Sequence, residues 1–283
     1  KDVLVGVFDQ NGNALRLFSY NYGINESFNS IVENPIKINA AVRYVVLGSI
    51  NPSNNRNDDD VILTAMDEWG AYSWRRKYGA LNFDDEFHSK LSVYNPIAGQ
   101  LALSGHSSNS GCYVVVNLNT NGSVTNLGRV FSANSRVHDL QITANGGFLI
   151  ASSIVAPTAQ AQIIKVSSTN ANNFIYRNST YAGIHQIIPF SANNFYVLGE
   201  SVLSGVLRPM VFNFIDNGST LDLNLIRYFN NGETDFSRGS MTLTSPTDLS
   251  YVDGRSKPSD GFGSLDGYLA VHKGSLDECG LRE

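Results

Sequence analysis

Three histidines recur at one place in an internal repeat of the chain. His88, His138 and His185 stand before apolar stretches in the segments EFHSK, RVHDL and GIHQI. Imidazoles bind divalent metals and, once protonated, anions, so three aligned histidines on successive units predict a shared metal or anion site. The alternative is a polar residue that caps the start of a strand and was copied by duplication. Asn29 and Gly239 hold the same position in two other units.

A cluster of acidic residues forms the second candidate site. Asp58, Asp59 and Asp60 follow several asparagines in one loop, and carboxylate and amide oxygens are the ligands of calcium. The loop lacks the spacing of an EF-hand, and charged turns are commonly only solvated. With the acidic loop at residues 84–86 it offers paired carboxylates for glycoside hydrolysis, although the two loops are expected at opposite ends of one unit.

Covalent modification has its own candidates. The N-x-Ser/Thr acceptor pattern for glycans occurs at four asparagines, a number that the Asn, Ser and Thr content gives by chance. Two cysteines lie three units apart in the repeat, too far for a mutual bond, so each is a candidate for an intermolecular disulfide. The glycan candidates are Asn25, Asn121, Asn178 and Asn217, and the cysteines are Cys112 and Cys279.

The elements that must position these residues repeat along the chain. Six apolar strands, each followed by a turn and a second strand, recur at spacings of 48 to 58 residues. The turns Asn11-Gly12, Asn121-Gly122 and Asn217-Gly218 have the composition of tight hairpins. Two further strands lie between successive copies. In five successive units the second of these strands has the sequence RYVVLGS, QLALSGH, GFLIASS, NFYVLGE and DLSYVDG. Each unit is therefore predicted as four short antiparallel strands, a to d.

Four strands per unit at this period predict an all-β fold, a β-propeller of six four-stranded blades in one domain over residues 1–283. Strand a lines the channel, so the aligned histidines are expected on one rim. The first blade has only strands c and d. The blade boundaries are a half blade at 1–23 and blades near 28–79, 88–131, 137–183, 184–229 and 239–283.

The units resemble the β-propeller repeats of secreted bacterial and protist surface proteins. The second blade carries this pattern most fully, with Asp60, Asp67, Gly70, Trp74 and Tyr78-Gly79. The other blades depart from it, since none has a counterpart of the tryptophan. The resemblance implies a binding or structural role more often than catalysis.

The half blade is the main functional clue in the sequence. Propellers usually close by pairing their terminal strands, which removes exposed edges. The missing strands a and b are expected either from further sequence of a longer chain or from a neighbouring molecule, and the latter gives head-to-tail rings or filaments. An open ring with an exposed edge is the third alternative.

Composition narrows the function classes. The chain has 20 basic and 25 acidic residues, a net charge of −5 and only 16% charged residues. The sequence has no basic cluster of the kind that binds nucleic acid, so nucleic acid is not expected as a partner. It also has no apolar run long enough for a membrane helix. The first interpretation is a non-catalytic extracellular or cell-surface interaction or assembly module. The alternatives are a carbohydrate-binding propeller, with glycans as ligands, and a metal-dependent polysaccharide lyase or hydrolase at the histidine rim. Apart from that divalent metal, no cofactor is expected.

Overall fold

A computed structural model describes the chain in segments. They are residues 3–20, 25–34, 42–51, 60–78, 85–86, 92–95, 99–107, 110–133, 135–154, 160–168, 172–178, 181–203, 206–218, 220–228, 235–236, 240–243, 249–256 and 266–272. Two compact units, residues 1–137 and 138–283, divide the molecule, and each is described by itself. No described helix is long and apolar enough to cross a membrane.

The described residues are almost entirely strands. The first unit contains β1 (Val3–Phe8), β2 (Ala14–Tyr20), β3 (Asn25–Glu33), β4 (Tyr44–Asn51), β5 (Asp60–Met66), β6 (Tyr72–Tyr78), β7 (Asp85–Glu86), β8 (Ser92–Asn95), β9 (Gln100–Ser107), β10 (Ser110–Asn117) and β11 (Ser123–Ala133), with one 3-10 turn at Leu118–Thr120.

The second unit follows the same pattern, and its first strand begins just before the division between the units. Its strands are β12 (Ser135–Ile142), β13 (Phe148–Ile154), β14 (Gln160–Val166), β15 (Asn172–Asn178), β16 (Tyr181–Ser191), β17 (Asn194–Leu203), β18 (Val206–Asp216), β19 (Leu221–Tyr228), β20 (Asp235–Phe236), β21 (Ser240–Leu243), β22 (Leu249–Ser256) and β23 (Asp266–His272).

The strands form small antiparallel sheets in chain order, so the protein is all-β. Three sheets are four-stranded meanders: β3 to β6, β12 to β15 and β16 to β19. In a fourth sheet, β7 and β8 both pair with β9, and in a fifth, β20 and β21 both pair with β22. Among the described residues, β1 and β2 pair only with each other.

Glycine and asparagine form the predicted hairpin turns. Gly12, Gly122 and Gly218 all have φ between 75° and 85°, the region in which glycine carries no steric penalty. Asn121 has φ 51°, in the left-handed region that asparagine tolerates better than most residues. These positions confirm the sequence-based turns at Asn11-Gly12, Asn121-Gly122 and Asn217-Gly218.

Each unit has its own core between facing sheets. In the first unit, buried residues of β4 and β5 pack against those of β9 and β10, and every residue of β5 is buried. In the second unit, Leu149 and Ile163 pack with Ile187, Val197 and Phe212. Strands covered on both faces need no polar alternation, which is why these segments read as continuous apolar runs. Each fully buried Val, Leu or Phe contributes about 1.5–3 kcal/mol.

Candidate functional site

Two of the three aligned histidines lie side by side in the second unit. The rings of His138, on β12, and His185, on β16, have centroids 5.8 Å apart and meet edge to face at 74°. His138 Nε2 lies 2.7 Å from Ser153 Oγ on β13. His185 Nε2 lies 3.1 Å from Glu200 Oε1 on β17. We call these four residues the histidine column.

A β-bulge positions His185. The pairing of β16 with β17 shifts register between Ile184 and Gln186, so His185 is the extra residue. The pairing of β3 with β4 shifts between Phe28 and Ser30, which makes Asn29 the extra residue there. Asn29 and His185 are the residues that the repeat aligns, and a bulge re-aims the side chain at its position. The aligned position is thus a bulge in both sheets, a local geometry that the sequence pattern did not predict.

The column offers proton donors and acceptors in a largely buried setting. His185 is 13% exposed and Glu200 is 15% exposed. His185 Nε2 is within reach of the Glu200 carboxylate, but this buried nitrogen forms no hydrogen bond with the described residues. The contact is therefore electrostatic when the imidazole is protonated. Gly183 leaves room for the ring, because a Cβ there would lie 3.0 Å from His185 Cε1.

Sequence reasoning missed two members of the column. Ser153 and Glu200 are the last residues of the aligned segments GFLIASS and NFYVLGE, and Ser49 ends the corresponding segment RYVVLGS. In that earlier sheet, Ser49 Oγ lies 2.7 Å from Ser27 Oγ. The signal for Ser153 and Glu200 in the sequence was their shared position at the end of these aligned segments.

The third aligned histidine, His88, lies outside the described residues. Among the residues that the structure does describe, no group of three or more His, Cys, Asp or Glu side chains is arranged to hold a metal ion. The three-histidine metal or anion site therefore stays a prediction, of which the structure shows the pair His138 and His185.

Of the calcium candidates, only Asp60 is described, since Asp58 and Asp59 lie outside the described residues. Asp60 begins β5 and its side chain is 3% exposed. Lys77 Nζ on β6 contacts its Oδ2. The Asp60 carboxylate is thus paired with a lysine of the next strand, and calcium binding by Asp58, Asp59 and Asp60 stays a prediction.

The modification candidates lie in different surroundings. Asn121 and Asn217 are exposed in turns, whereas Asn25 begins β3 and Asn178 ends β15. Cys112 is 4% exposed in the core of the first unit, where an intermolecular disulfide would require local opening. Cys279 lies outside the described residues.

Aromatic side chains of the first unit differ in exposure. Tyr78 donates a hydrogen bond to the carbonyl of Gly122, and Trp74 packs against the same glycine. Tyr72 and Trp69 are 62% and 51% exposed, and the Arg16 guanidinium lies 3.6 Å from the centroid of Trp69.

The β1–β2 hairpin carries an exposed apolar face. Leu4, Phe8 and Leu17 are 65%, 56% and 57% exposed, and we call them the hairpin patch. Phe8 and Leu17 adjoin, because a Cβ at Gly6 would meet both side chains, and Leu4 lies on the same exposed face of β1 as Phe8. The opposite face of the hairpin packs on the β3–β6 sheet through Tyr20 and neighbouring residues.

Comparisons with known proteins give only distant structural likenesses. No family model matches the chain, and no curated protein matches it. Among solved structures, the catalytic domain of a Coprinopsis cinerea GH62 α-L-arabinofuranosidase is 14% identical, with 88% of this chain and 92% of that chain covered and a TM-score of 0.42. A GH43 β-1,3-galactosidase is 12% identical over 95% and 60%, with a TM-score of 0.47. An endo-1,4-β-xylanase from Bacteroides thetaiotaomicron is 8% identical over 87% and 92%, with a TM-score of 0.43. We draw no functional assignment from likenesses of this size.

Proposed function

We propose that the protein is a non-catalytic interaction module of the β-propeller class that self-associates through its β1–β2 hairpin. The sheets supply the blades: five sheets follow the hairpin along the chain, and the three complete meanders have the strand number of a blade. In this proposal there are six blades, and the hairpin belongs to the first.

The hairpin patch carries this proposal. A two-stranded sheet is marginally stable alone, and here one face is covered by the neighbouring sheet while the other presents Leu4, Phe8 and Leu17 to solvent. Contiguous apolar surface of this kind marks interaction sites in soluble proteins. The strand edges that the hairpin leaves unpaired within the described residues would add backbone hydrogen bonds to a contact.

The occupant that we propose is the hairpin of a second copy. Between Val3 and Tyr20 the only charged side chains are Asp9 and Arg16, so two hairpins meet without like-charge repulsion. Antiparallel pairing of two identical edges is compatible with a two-fold axis, the commonest symmetry of soluble oligomers. Repetition of contacts at a second surface would extend such pairs into filaments.

Sedimentation velocity over a range of concentrations tests this. We expect the wild-type chain to show a concentration-dependent mass and Leu17→Lys to be a monomer, because the charge would be buried without a partner. The matched control is Leu127→Lys, which changes an equally exposed leucine (60%) on β11 outside the hairpin and should assemble like the wild type. A monomer at every concentration, or assembly unchanged by Leu17→Lys, would refute the proposal.

An extracellular or cell-surface location belongs to the same proposal. The exposure of Asn121 and Asn217 in turns supports it, because an oligosaccharyl transferase requires an accessible acceptor. Intact-mass measurement of protein from its native source, before and after glycan removal with peptide N-glycosidase, is the test. An unmodified mass from a source that glycosylates secreted proteins would contradict glycosylation at these turns.

A second candidate function is a polysaccharide lyase or hydrolase at the histidine column. The specific observation is the 2.7 Å contact between His138 and Ser153 beside the His185–Glu200 pair, which places proton acceptors and donors together. Release of reducing ends or of unsaturated products from a panel of polysaccharides, with and without a chelator, tests this function. Activity that survives in both His138→Ala and His185→Ala, or no activity on any polymer, would count against it.

A further inference from the structure

Three hairpin turns of the second unit surround a cavity. Ala144 and Asn145 belong to the β12–β13 turn, Asn193 to the β16–β17 turn, and Asp216 to Gly218 to the β18–β19 turn. The cavity has a volume of about 530 Å³, within the usual range for small-molecule sites. We call it the turn pocket.

Hydrogen bonds join two of the turns that form the pocket and hold the third one internally. The backbone N–H of Asp216 donates to the Asn193 carbonyl at 2.7 Å, which joins two of the three turns. In the first turn, the Gly147 N–H donates to Thr143 Oγ1 at 3.1 Å. The walls are therefore held by the fold and need no ligand to bring them together.

The pocket has polar walls but no net charge. Asp216 is the ionisable residue among those lining it, and its carboxylate contacts Nζ of Lys165, whose side chain is fully buried beneath it. Lys165 also donates to the carbonyl of Gly218. Because the lysine balances the aspartate, the pocket has no excess charge to attract an ionic ligand, and no aromatic or large aliphatic side chain lines it.

Hydrogen-bonding groups point to the ligand class. Each asparagine amide has both a carbonyl acceptor and an NH₂ donor, which matches hydroxyl groups that donate and accept at once. Among the described residues, the Asn193 side chain and Asp216 Oδ2 have no hydrogen-bond partner. The repeat supplies the amides, since the turns read Thr143-Ala144-Asn145 and Ser191-Ala192-Asn193.

We propose that the turn pocket binds a neutral saccharide through the amides of Asn145 and Asn193 and the unpaired oxygen of Asp216. This site is separate from the hairpin patch and independent of self-association. A charged sugar is excluded because the pocket has no spare cation, and a hydrophobic ligand is excluded because the walls offer it no apolar contact.

Calorimetric titration of the full chain tests the proposal. The probes are the neutral hexaoses of glucose, xylose and mannose, their monosaccharides, and hexagalacturonic acid as the charged comparison. We expect at least one neutral hexaose to bind with a Kd of about 1 mM or tighter, while hexagalacturonic acid does not bind. Comparison of hexaose with monosaccharide distinguishes a site for a chain from a site for a single ring.

Two variants and a control locate the binding. Asn193→Ala should raise the Kd of the hexaose about tenfold or more. The variant should still fold, because the Asn193 side chain contacts no other described residue through a hydrogen bond. Asn193→Asp should weaken hexaose binding too, because the substitution removes the NH₂ donor beside Asp216. The control, Asn11→Ala, changes an exposed turn asparagine of the first unit and should bind like the wild type. Absence of neutral-sugar binding, preference for the charged sugar, or unchanged affinity in both Asn193 variants would overturn the proposal.

Discussion

Removal of the Asp139 carboxylate should destabilise the second unit more than removal of any exposed turn aspartate. Asp139 lies on β12 and is 2% exposed. Its Oδ1 accepts a hydrogen bond from its neighbour's amide, Leu140 N, at 2.8 Å, and its Oδ2 accepts one from Ile187 N on β16 at 2.7 Å. The second bond joins two sheets, so one side chain holds the backbone of β16 in place.

The magnitude follows from these two bonds. A hydrogen bond to a charged group contributes about 1.5–3 kcal/mol, and a buried N–H left without an acceptor costs about 1–3 kcal/mol. Asp139→Ala removes both bonds and leaves the amide of the fully buried Ile187 without its carboxylate. The variant also avoids the cost of burying a charged carboxylate, which offsets part of this loss. We therefore expect the free energy of unfolding to fall by about 3 kcal/mol.

Urea unfolding and hydrogen exchange together measure this effect. The matched control is Asp67→Ala, because Asp67 Oδ1 also accepts two backbone amides, Trp69 N at 2.8 Å and Ala71 N at 2.9 Å, but in a turn that water reaches. The control should cost about 1 kcal/mol. In Asp139→Ala the Ile187 amide should also exchange much faster. A loss below about 1 kcal/mol with unchanged protection of Ile187 would show that the bond between the sheets is not a stabilising contact.

Three other predictions concern single contacts. Gly147→Ala should cost about 1–3 kcal/mol by urea unfolding, because its Cβ would lie 2.3 Å from the Val166 carbonyl; a neutral effect would contradict the described backbone. Burial raises the pKa of Tyr78 well above its ordinary value, so the folded state keeps the phenol neutral while the unfolded chain ionises near 10. Stability should therefore be constant below about pH 10 and fall as the pH rises further, and Tyr78→Phe should flatten this alkaline fall in urea midpoints. Lys165→Met should cost about 3–5 kcal/mol by leaving Asp216 buried without its cation, and Asp216→Leu in the same chain should restore most of it; a single variant no less stable than the double would refute the pairing.

Much of the local fold was predictable from the sequence because its determinants are local. The Asn-Gly turns form where these residues tolerate a positive φ, and the apolar segments form strands buried on both faces. The pairing of both β7 and β8 with β9, and of both β20 and β21 with β22, was not predicted, since strand pairing depends on the partner strand as well as on a segment's own residues.

The candidate sites were predictable only in part. Repeat alignment singled out His138 and His185, but not their partners Ser153 and Glu200, which lie on neighbouring strands and end segments that otherwise read as apolar core. The contact of Asp60 with Lys77 was not predicted either, because Lys77 is on the neighbouring strand. Such contacts depend on which strands pair and in which register, and the sequence of a single segment does not specify either.

The sequence by itself determined the repeat, the all-β class and the places where the chain turns, because strand propensity and turn conformation depend on neighbouring residues. The tertiary structure decided which polar groups meet. It brought the two histidines together and placed Lys165 under Asp216, so that the turn pocket has no net charge. It also left Leu4, Phe8 and Leu17 in solvent, although nothing in their two segments distinguishes them from apolar residues that are buried. Whether an apolar face is covered depends on the surface packed against it, and that is a property of the folded chain.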